Sequence, residues 1–106
     1  MPQYVVIATH EPSQCPWANR VMGEVFKQLI PAARGVAAQH GVKPVLGPVH
    51  LDPAHKLMVV LEAPTQDAVY DALLADRMSQ IQAVEVYRAT PLAEHFAKTQ
   101  GQEPLY

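Results

Sequence analysis

Two patterns of hydrophobic and polar residues follow each other along the chain. Short apolar runs predict strands, and apolar residues spaced three or four apart predict helices. Runs rich in β-branched residues predict four strands, over 3–9, 42–51, 55–63 and 83–89. Apolar residues at helical spacing predict a long helix from 17 to about 41 and a second helix within 64–77. A short last helix is predicted to begin at Pro91.

Prolines and threonines set the expected limits of these elements. Pro16 suits the first turn of the long helix, and Pro31 predicts a kink or a break into two helices near residue 30. Prolines within 42–51 predict an edge strand with a bulge, whereas the continuous apolar run 55–63 predicts a central strand. Thr65 and Thr90 are the predicted N-caps of the two later helices.

The order strand, helix, strand, strand, helix, strand predicts an α+β fold, the ferredoxin-like βαββαβ sandwich. It has an antiparallel four-stranded sheet, two helices on one face and here a short C-terminal helix. The chain is expected to be one domain over 1–106, with its core in 3–97 and a tail in 98–106. "YVVIA" and "LMVVL" are apolar at successive positions, as in strands buried on both faces. Since two helices cover one face, a homodimer is predicted to cover the other.

Composition narrows the classes of partner. The 106 residues carry a formal net charge of -2, and Lys and Arg are scattered singly, which argues against nucleic acid and anionic membrane surfaces as partners. No apolar run approaches the length of a membrane span. A single cysteine and an N-terminus that lacks signal-peptide features predict a cytoplasmic protein.

The predicted topology brings several metal-binding residue types to one end of the sheet. His10, Cys15, His50, Asp52 and His55 are expected there, and His40 and His95 toward the opposite end. Imidazole and thiolate together suit Zn or Cu, so the predicted metal ligands are His10, Cys15, His50 and His55. The alternative is that these are ordinary surface histidines in loops.

Two further hypotheses use the same region and the core. Cys15, at the expected mouth of the long helix, is a candidate catalytic nucleophile, with His10 as its base or cationic partner. The alternative is a small buried cysteine that only fills space. A kink at Pro31 also predicts an apolar pocket for a small ligand. The residues expected to line it are Trp17, Met22, Phe26, Met58, Tyr70 and Tyr87. The alternative is that these residues form a plain hydrophobic core.

Three stretches carry a resemblance to a known superfamily: "YVVIAT", "KLMVVLEAPTQDAVYDALL" and "VEVYRATPLAEHF". The first resembles the opening strand of the dimeric α/β-barrel superfamily, and the others resemble its small GYD-type, uncharacterised single-domain members. Those members have an E-A-P before an acidic helix start, here residues 62–64, and an R-A-x-T-P-like stretch, here residues 88–91. The loop "HEPSQCPWAN" is not a general feature of the superfamily.

The resemblance implies a homodimer but no single chemistry, because its relatives include cofactor-free oxygenases, isomerases and haem-handling proteins. The function predicted is a cytoplasmic homodimer that binds a small ligand or a transition metal at the end of the first strand. One alternative is a cofactor-free oxygenase- or isomerase-type enzyme that uses Cys15 and His10. Another is an interaction module without chemistry.

Overall fold

Strands and helices alternate through residues 1–103, which are the residues that the computed structural model describes. The four strands are β1 (Gln3–Thr9), β2 (Lys43–Leu51), β3 (Lys56–Glu62) and β4 (Ala83–Ala89). The four helices are α1 (Arg20–Gln39), α2 (Gln66–Ala75), α3 (Met78–Ile81) and α4 (Leu92–Thr99). A 3-10 turn, Pro12–Gln14, lies between β1 and α1. Of the predicted tail, residues 104–106 lie outside the described residues.

The strands form one sheet in the order β2-β3-β1-β4, and all neighbours are antiparallel. The α+β class and the antiparallel four-stranded sheet are therefore confirmed, and the arrangement is compatible with a ferredoxin-like fold. β2 lies at an edge, with register shifts on either side of Leu46, as its prolines predicted. β3 is central, as its unbroken apolar run predicted.

Side chains alternate along β1 between a covered face and an open face of the sheet. Tyr4, Val6, Ala8 and His10 are buried, and the residues between them are partly exposed. Apolar residues of α1 and α2 pack with Tyr4 and Val6 in one cluster, so both helices cover the same face. His10 therefore continues the row of core residues one step beyond the end of β1.

The long helix differs from its prediction at its start and in its middle. It begins at Arg20 because the Asn19 side chain accepts a hydrogen bond from the Met22 N–H (3.1 Å) and forms the N-cap. It then runs through Pro31 to Gln39 without a break into two helices. Pro31 and Lys27 are exposed, so the Lys27 carbonyl that loses its amide partner lies on the solvent side of the helix.

The later helices are closer to their predictions. Thr65 caps α2 as expected and accepts a hydrogen bond from the Ala68 N–H (3.1 Å). α3 was not predicted. α4 begins one residue later than expected, at Leu92, with Pro91 and not Thr90 in the capping position, and no side-chain hydrogen bond caps it.

α4 extends away from the rest of the molecule. Residues 92–98 are all exposed, including Leu92 and Phe96. The radius of gyration is 16.2 Å, against about 13 Å for a compact domain of this length. Among the described residues, no helix has the length and apolar character needed to cross a bilayer.

Candidate metal centre

The end of β1 places His10 between two other polar residues. Thr9, the last residue of the strand, pairs with Lys56 on one side and with Ala83 on the other. One step further along the antiparallel pairing lie His55 and Gln82. The His10 N–H donates to the His55 carbonyl at 3.1 Å, which extends the β1–β3 pairing to this row.

Four buried polar atoms in this row have no hydrogen-bond partner among the described residues. They are both ring nitrogens of His10, Nδ1 of His55 and Oε1 of Gln82. His10 is only 4 % exposed, and the Phe26 ring packs edge-on against it at 6.2 Å. A buried polar atom without a partner destabilises a protein by roughly 1–3 kcal/mol, so a group of four at one place requires an explanation.

The loop after β1 brings the thiol of Cys15 to the same place. The Cys15 N–H closes the 3-10 turn on the Pro12 carbonyl, and the Cys15 carbonyl accepts from the N–H groups of Ala18 and Asn19. Asn19 also donates from Nδ2 to the Ser13 carbonyl (3.0 Å), which ties the loop to the start of α1. Cys15 is 6 % exposed. The fold of this loop therefore holds the sulfur against the sheet end.

One donor atom from each of His10, Cys15 and His55 lies within 4.8 Å of the other two. Bound to one zinc ion at tetrahedral angles, two nitrogens would be about 3.3 Å apart, and a nitrogen and a sulfur about 3.5 Å. The three side chains thus need to approach one another by at most about 1.5 Å. The group could hold a metal ion through two histidines and one cysteine.

The surroundings of His10 favour its neutral form. Burial is the largest cause that lowers the pKa of His10 from its ordinary 6.5, and repulsion from His55 and then His50 adds to it. The Gln82 side chain acts in the opposite direction and raises this pKa. A neutral imidazole is the form that coordinates a metal ion, so this environment favours the ligand form of His10.

His50 lies outside the three-residue group, beside a cleft that opens to solvent. Its Nδ1 is 2.7 Å from Oδ1 of Asp52, and its ring centre is 4.7 Å from that of Trp17. The cleft encloses about 430 Å³, and its walls include Cys15, Trp17, His50, Asp52 and His55. Two of the three candidate ligands thus border a space that a small molecule can enter.

The structure places the predicted ligands unevenly. It brings together three of the four, His10, Cys15 and His55, while His50 contacts Trp17 and Asp52 instead. His40 lies at the end of α1, where its Nδ1 is 3.0 Å from the Val36 carbonyl, and His95 is exposed on α4. Sequence reasoning missed Gln82, whose place beside His10 becomes visible once the β1–β4 register is known.

The predicted position of Cys15 at the mouth of a helix is wrong. α1 begins five residues later, and the turn at residues 15–19 separates the thiol from its first N–H groups. The helix macrodipole therefore gives no argument for an activated nucleophile at Cys15, since its effect is confined to the first turn. The catalytic role predicted for Cys15 and His10 stays a prediction without that support.

The six residues predicted to bind an apolar ligand are spread over the molecule. Trp17 borders the cleft, and Tyr70 and Tyr87 are exposed. Met22 and Phe26 pack in a small core cluster of α1 and the sheet. A separate apolar cavity of about 380 Å³ is lined by residues of α1, α2, α3 and the sheet, and of the six residues only Met58 is among those that line it.

The lowered pKa of His10 predicts how the stability of the metal-free protein depends on pH. The unfolded chain binds a proton on His10 near pH 6.5, and the folded protein binds it only at lower pH. The free energy of unfolding should therefore fall as the pH drops through 6.5. Below the folded-state pKa of His10, this residue should cause no further fall in the free energy of unfolding. Urea unfolding with a chelator present, between about pH 7 and pH 5, measures this dependence.

His10→Leu should show a shallower fall than the wild-type protein, because the buried imidazole is gone. His95→Leu is the matched control, since His95 is exposed on α4, and it should retain the wild-type dependence. Equal dependence in wild type and His10→Leu would contradict the buried, hard-to-protonate state of His10.

Comparisons with known proteins give no family for this chain. No protein-family model matches it, and no curated protein sequence matches it. The resemblance to dimeric α/β barrels therefore stays a prediction, and the function has to be argued from the residues at the sheet end.

Proposed function

We propose that this protein binds one zinc or copper ion through His10, Cys15 and His55 at the end of β1. Two observations carry the proposal: one donor atom from each of His10, Cys15 and His55 lies within 4.8 Å of the other two, and both ring nitrogens of His10 and Nδ1 of His55 are buried without a hydrogen-bond partner. A metal ion is the one partner that bonds to both imidazoles and to sulfur at the same time.

Burial distinguishes this group from ordinary surface histidines. A histidine in a loop is normally hydrated, and its ring nitrogens need no partner within the protein. Here the nitrogens of His10 and Nδ1 of His55 are shielded from solvent. Leaving them unpaired costs free energy, whereas a metal ion converts the same atoms into ligands and stabilises the folded protein.

The donor set favours zinc or copper over hard cations. Imidazole and thiolate are borderline and soft ligands, whereas calcium and magnesium take oxygen ligands. No carboxylate belongs to the group. Both candidate metals accept two nitrogens and one sulfur, so the test includes each of them.

Three protein ligands leave one coordination position for water or a small molecule. Structural zinc sites usually have four protein ligands, and catalytic or ligand-binding sites have three with an open position. The cleft between Trp17 and the β2–β3 turn borders Cys15 and His55, which gives that position a route to solvent. The proposed centre therefore suits reversible binding of a small molecule at the metal.

Metal titration of the reduced protein tests the proposal. The wild-type chain should bind one Zn²⁺, Co²⁺ or Cu⁺ per protomer, and Co²⁺ should give a thiolate charge-transfer band in the near ultraviolet. His10→Ala, Cys15→Ser and His55→Ala should each weaken Zn²⁺ binding by about 100-fold or more, because loss of an outer-shell partner alone costs about 10- to 100-fold. The cobalt thiolate band should disappear in Cys15→Ser.

Two other histidines provide matched controls. His50→Ala removes an imidazole that borders the cleft but lies outside the three-residue group, and His95→Ala removes an exposed one. Both should bind Zn²⁺ within about twofold of wild type, a change well under 1 kcal/mol. Wild-type protein that binds no tighter than Cys15→Ser would contradict the proposal, and a His50→Ala variant as weak as His55→Ala would contradict the three-ligand assignment.

We further propose that the protein is a homodimer whose two sheets pack face to face. By register, apolar residues of all four strands share the face that α1 and α2 leave open, among them Val5, Met58, Val60, Val49 and Tyr87. Val49, Tyr87 and Leu46 beside them are 36 %, 53 % and 52 % exposed. Glu85 lies opposite Ile7 on the same face, and Lys43, Lys56 and Glu62 lie near the strand ends. The apolar residues between them form an exposed patch of the kind that a second copy covers.

Light scattering after size exclusion should give twice the 11.7 kDa mass of one chain. Val49→Lys should shift the protein to the monomer, because it places a charge that must be desolvated within the apolar part of this face. Val21→Lys is the matched control: Val21 is 72 % exposed on α1, and this variant should remain a dimer. A folded wild-type monomer at micromolar concentration would contradict the dimer.

A further inference from the structure

Two buried atoms in the row at the sheet end have no partner even with the proposed metal ion in place. The ion takes one ring nitrogen of His10 and Nδ1 of His55. The second ring nitrogen of His10 and Oε1 of Gln82 are still buried without a partner. When one nitrogen of a neutral imidazole binds a metal, the other carries a proton and needs an acceptor.

Gln82 is in the right place to accept a hydrogen bond from that N–H. It directly precedes β4, and Ala83 pairs with Thr9, so Gln82 and His55 flank His10 on its two sides. Gln82 is 8 % exposed and His10 is 4 % exposed, so neither is freely hydrated. The Gln82 side chain also raises the pKa of His10, which partly offsets the lowering of that pKa by burial.

We infer that Gln82 is a positioning residue of the metal centre: its side-chain Oε1 accepts the N–H of His10 and so fixes which ring nitrogen faces the metal. This inference rests on the proposed metal site. A single ion and a single His10–Gln82 hydrogen bond then provide partners for all four orphaned atoms. The neighbouring amide also holds the imidazole plane, because the bond fixes the rotation of the ring as well as its tautomer.

The contrast between His10 and His55 supports this division of roles. His55 has one buried unpartnered nitrogen, Nδ1, which the metal ion accounts for, whereas both ring nitrogens of His10 are buried and unpartnered. Only His10 therefore requires a second partner inside the protein. Gln82 Oε1 is the one buried acceptor in that row of the described chain that lacks a donor.

Two substitutions at Gln82 separate hydrogen bonding from packing. Gln82→Met keeps the length and much of the volume of the side chain but loses the amide oxygen. Gln82→Glu restores an acceptor in the same position. With the inference correct, Gln82→Met should weaken Zn²⁺ binding by about 10- to 100-fold, the usual effect of losing an outer-shell partner, and Gln82→Glu should bind within about threefold of wild type.

Gln66→Met is the matched control for the loss of a glutamine amide. Gln66 donates from Nε2 to the Val86 carbonyl at 3.3 Å, a bond to the same strand β4, but it belongs to α2 and not to the row of His10. Its substitution should leave Zn²⁺ affinity unchanged. Circular dichroism and urea unfolding of each variant establish that all are folded before metal is added.

Nitrogen-15 NMR of the imidazole rings gives a readout that packing alone would not move. In the zinc-loaded wild-type protein, one His10 nitrogen should have the shift of a metal ligand and the other that of a protonated N–H in slow exchange with solvent. Gln82→Met should lose the slow exchange, and Gln82→Glu should retain it. This experiment can be read even where the affinities differ little.

The outcomes distinguish the inference from the proposed function. Wild-type protein that binds no zinc, cobalt or copper overturns the metal site, and the role of Gln82 with it. Wild-type protein that binds zinc while Gln82→Met retains both full affinity and the slowly exchanging His10 N–H overturns the role of Gln82 alone. Weakening by Gln82→Met that Gln82→Glu does not reverse also overturns it, because the effect is then one of packing.

Discussion

An imidazole buried at the end of a strand needs partners for its ring nitrogens, and this requirement governs the region around His10. The same alternation that buries Tyr4, Val6 and Ala8 beneath the helices also buries His10, because it is the next residue on that face. The backbone of the row is satisfied by the bond between His10 and His55, but the side chains are not. Polar partners must therefore come from the loop, from the neighbouring strands or from a bound ion.

The fold supplies these partners from four separate parts of the chain. β1 contributes His10, the loop after it contributes Cys15, the β2–β3 turn contributes His55, and the residue before β4 contributes Gln82. Their meeting depends on antiparallel pairing, which brings the end of β1 beside the beginnings of β3 and β4. The strand order β2-β3-β1-β4 thus assembles a polar group from residues that are distant in sequence. Asn19 adds the last constraint, since it caps α1 and ties the loop that carries Cys15.

Much of the fold follows from the sequence, because strand and helix patterns are local. β1 and β4 have the predicted bounds, 3–9 and 83–89, and the proline-rich β2 lies at an edge. The start of α1 was predicted too early. Pro16 suits the first turn of a helix, but the hydrogen bond that Asn19 accepts from the Met22 N–H makes Asn19 the N-cap and sets the start at Arg20. Pro31 was expected to kink the helix or to break it into two. There is no break, because a single exposed proline within 20 residues leaves enough hydrogen bonds on each side.

The candidate site was only partly accessible from the sequence. The predicted topology correctly brought His10, Cys15 and His55 to one end of the sheet, but it also included His50 among the ligands. The spacing of two histidines along a hairpin does not show which of them faces the other ligands. The place of Gln82 beside His10 could not be predicted from the sequence. A glutamine is usually exposed, and the burial of this one follows from the exact register of β4 on β1. Tyr70 and Tyr87 were expected in a pocket and are exposed, because an aromatic residue in a periodic pattern does not reveal which face is covered.

X-ray absorption at the zinc edge of the zinc-loaded protein tests the central claim most directly, because it reports the atoms bound to the metal. Two imidazole nitrogens at about 2.0 Å and one sulfur at about 2.3 Å, with a further light atom completing the sphere, are the expected result. The sulfur contribution should vanish in Cys15→Ser. A spectrum of nitrogen and oxygen ligands alone in the wild-type protein would contradict a centre built from His10, Cys15 and His55.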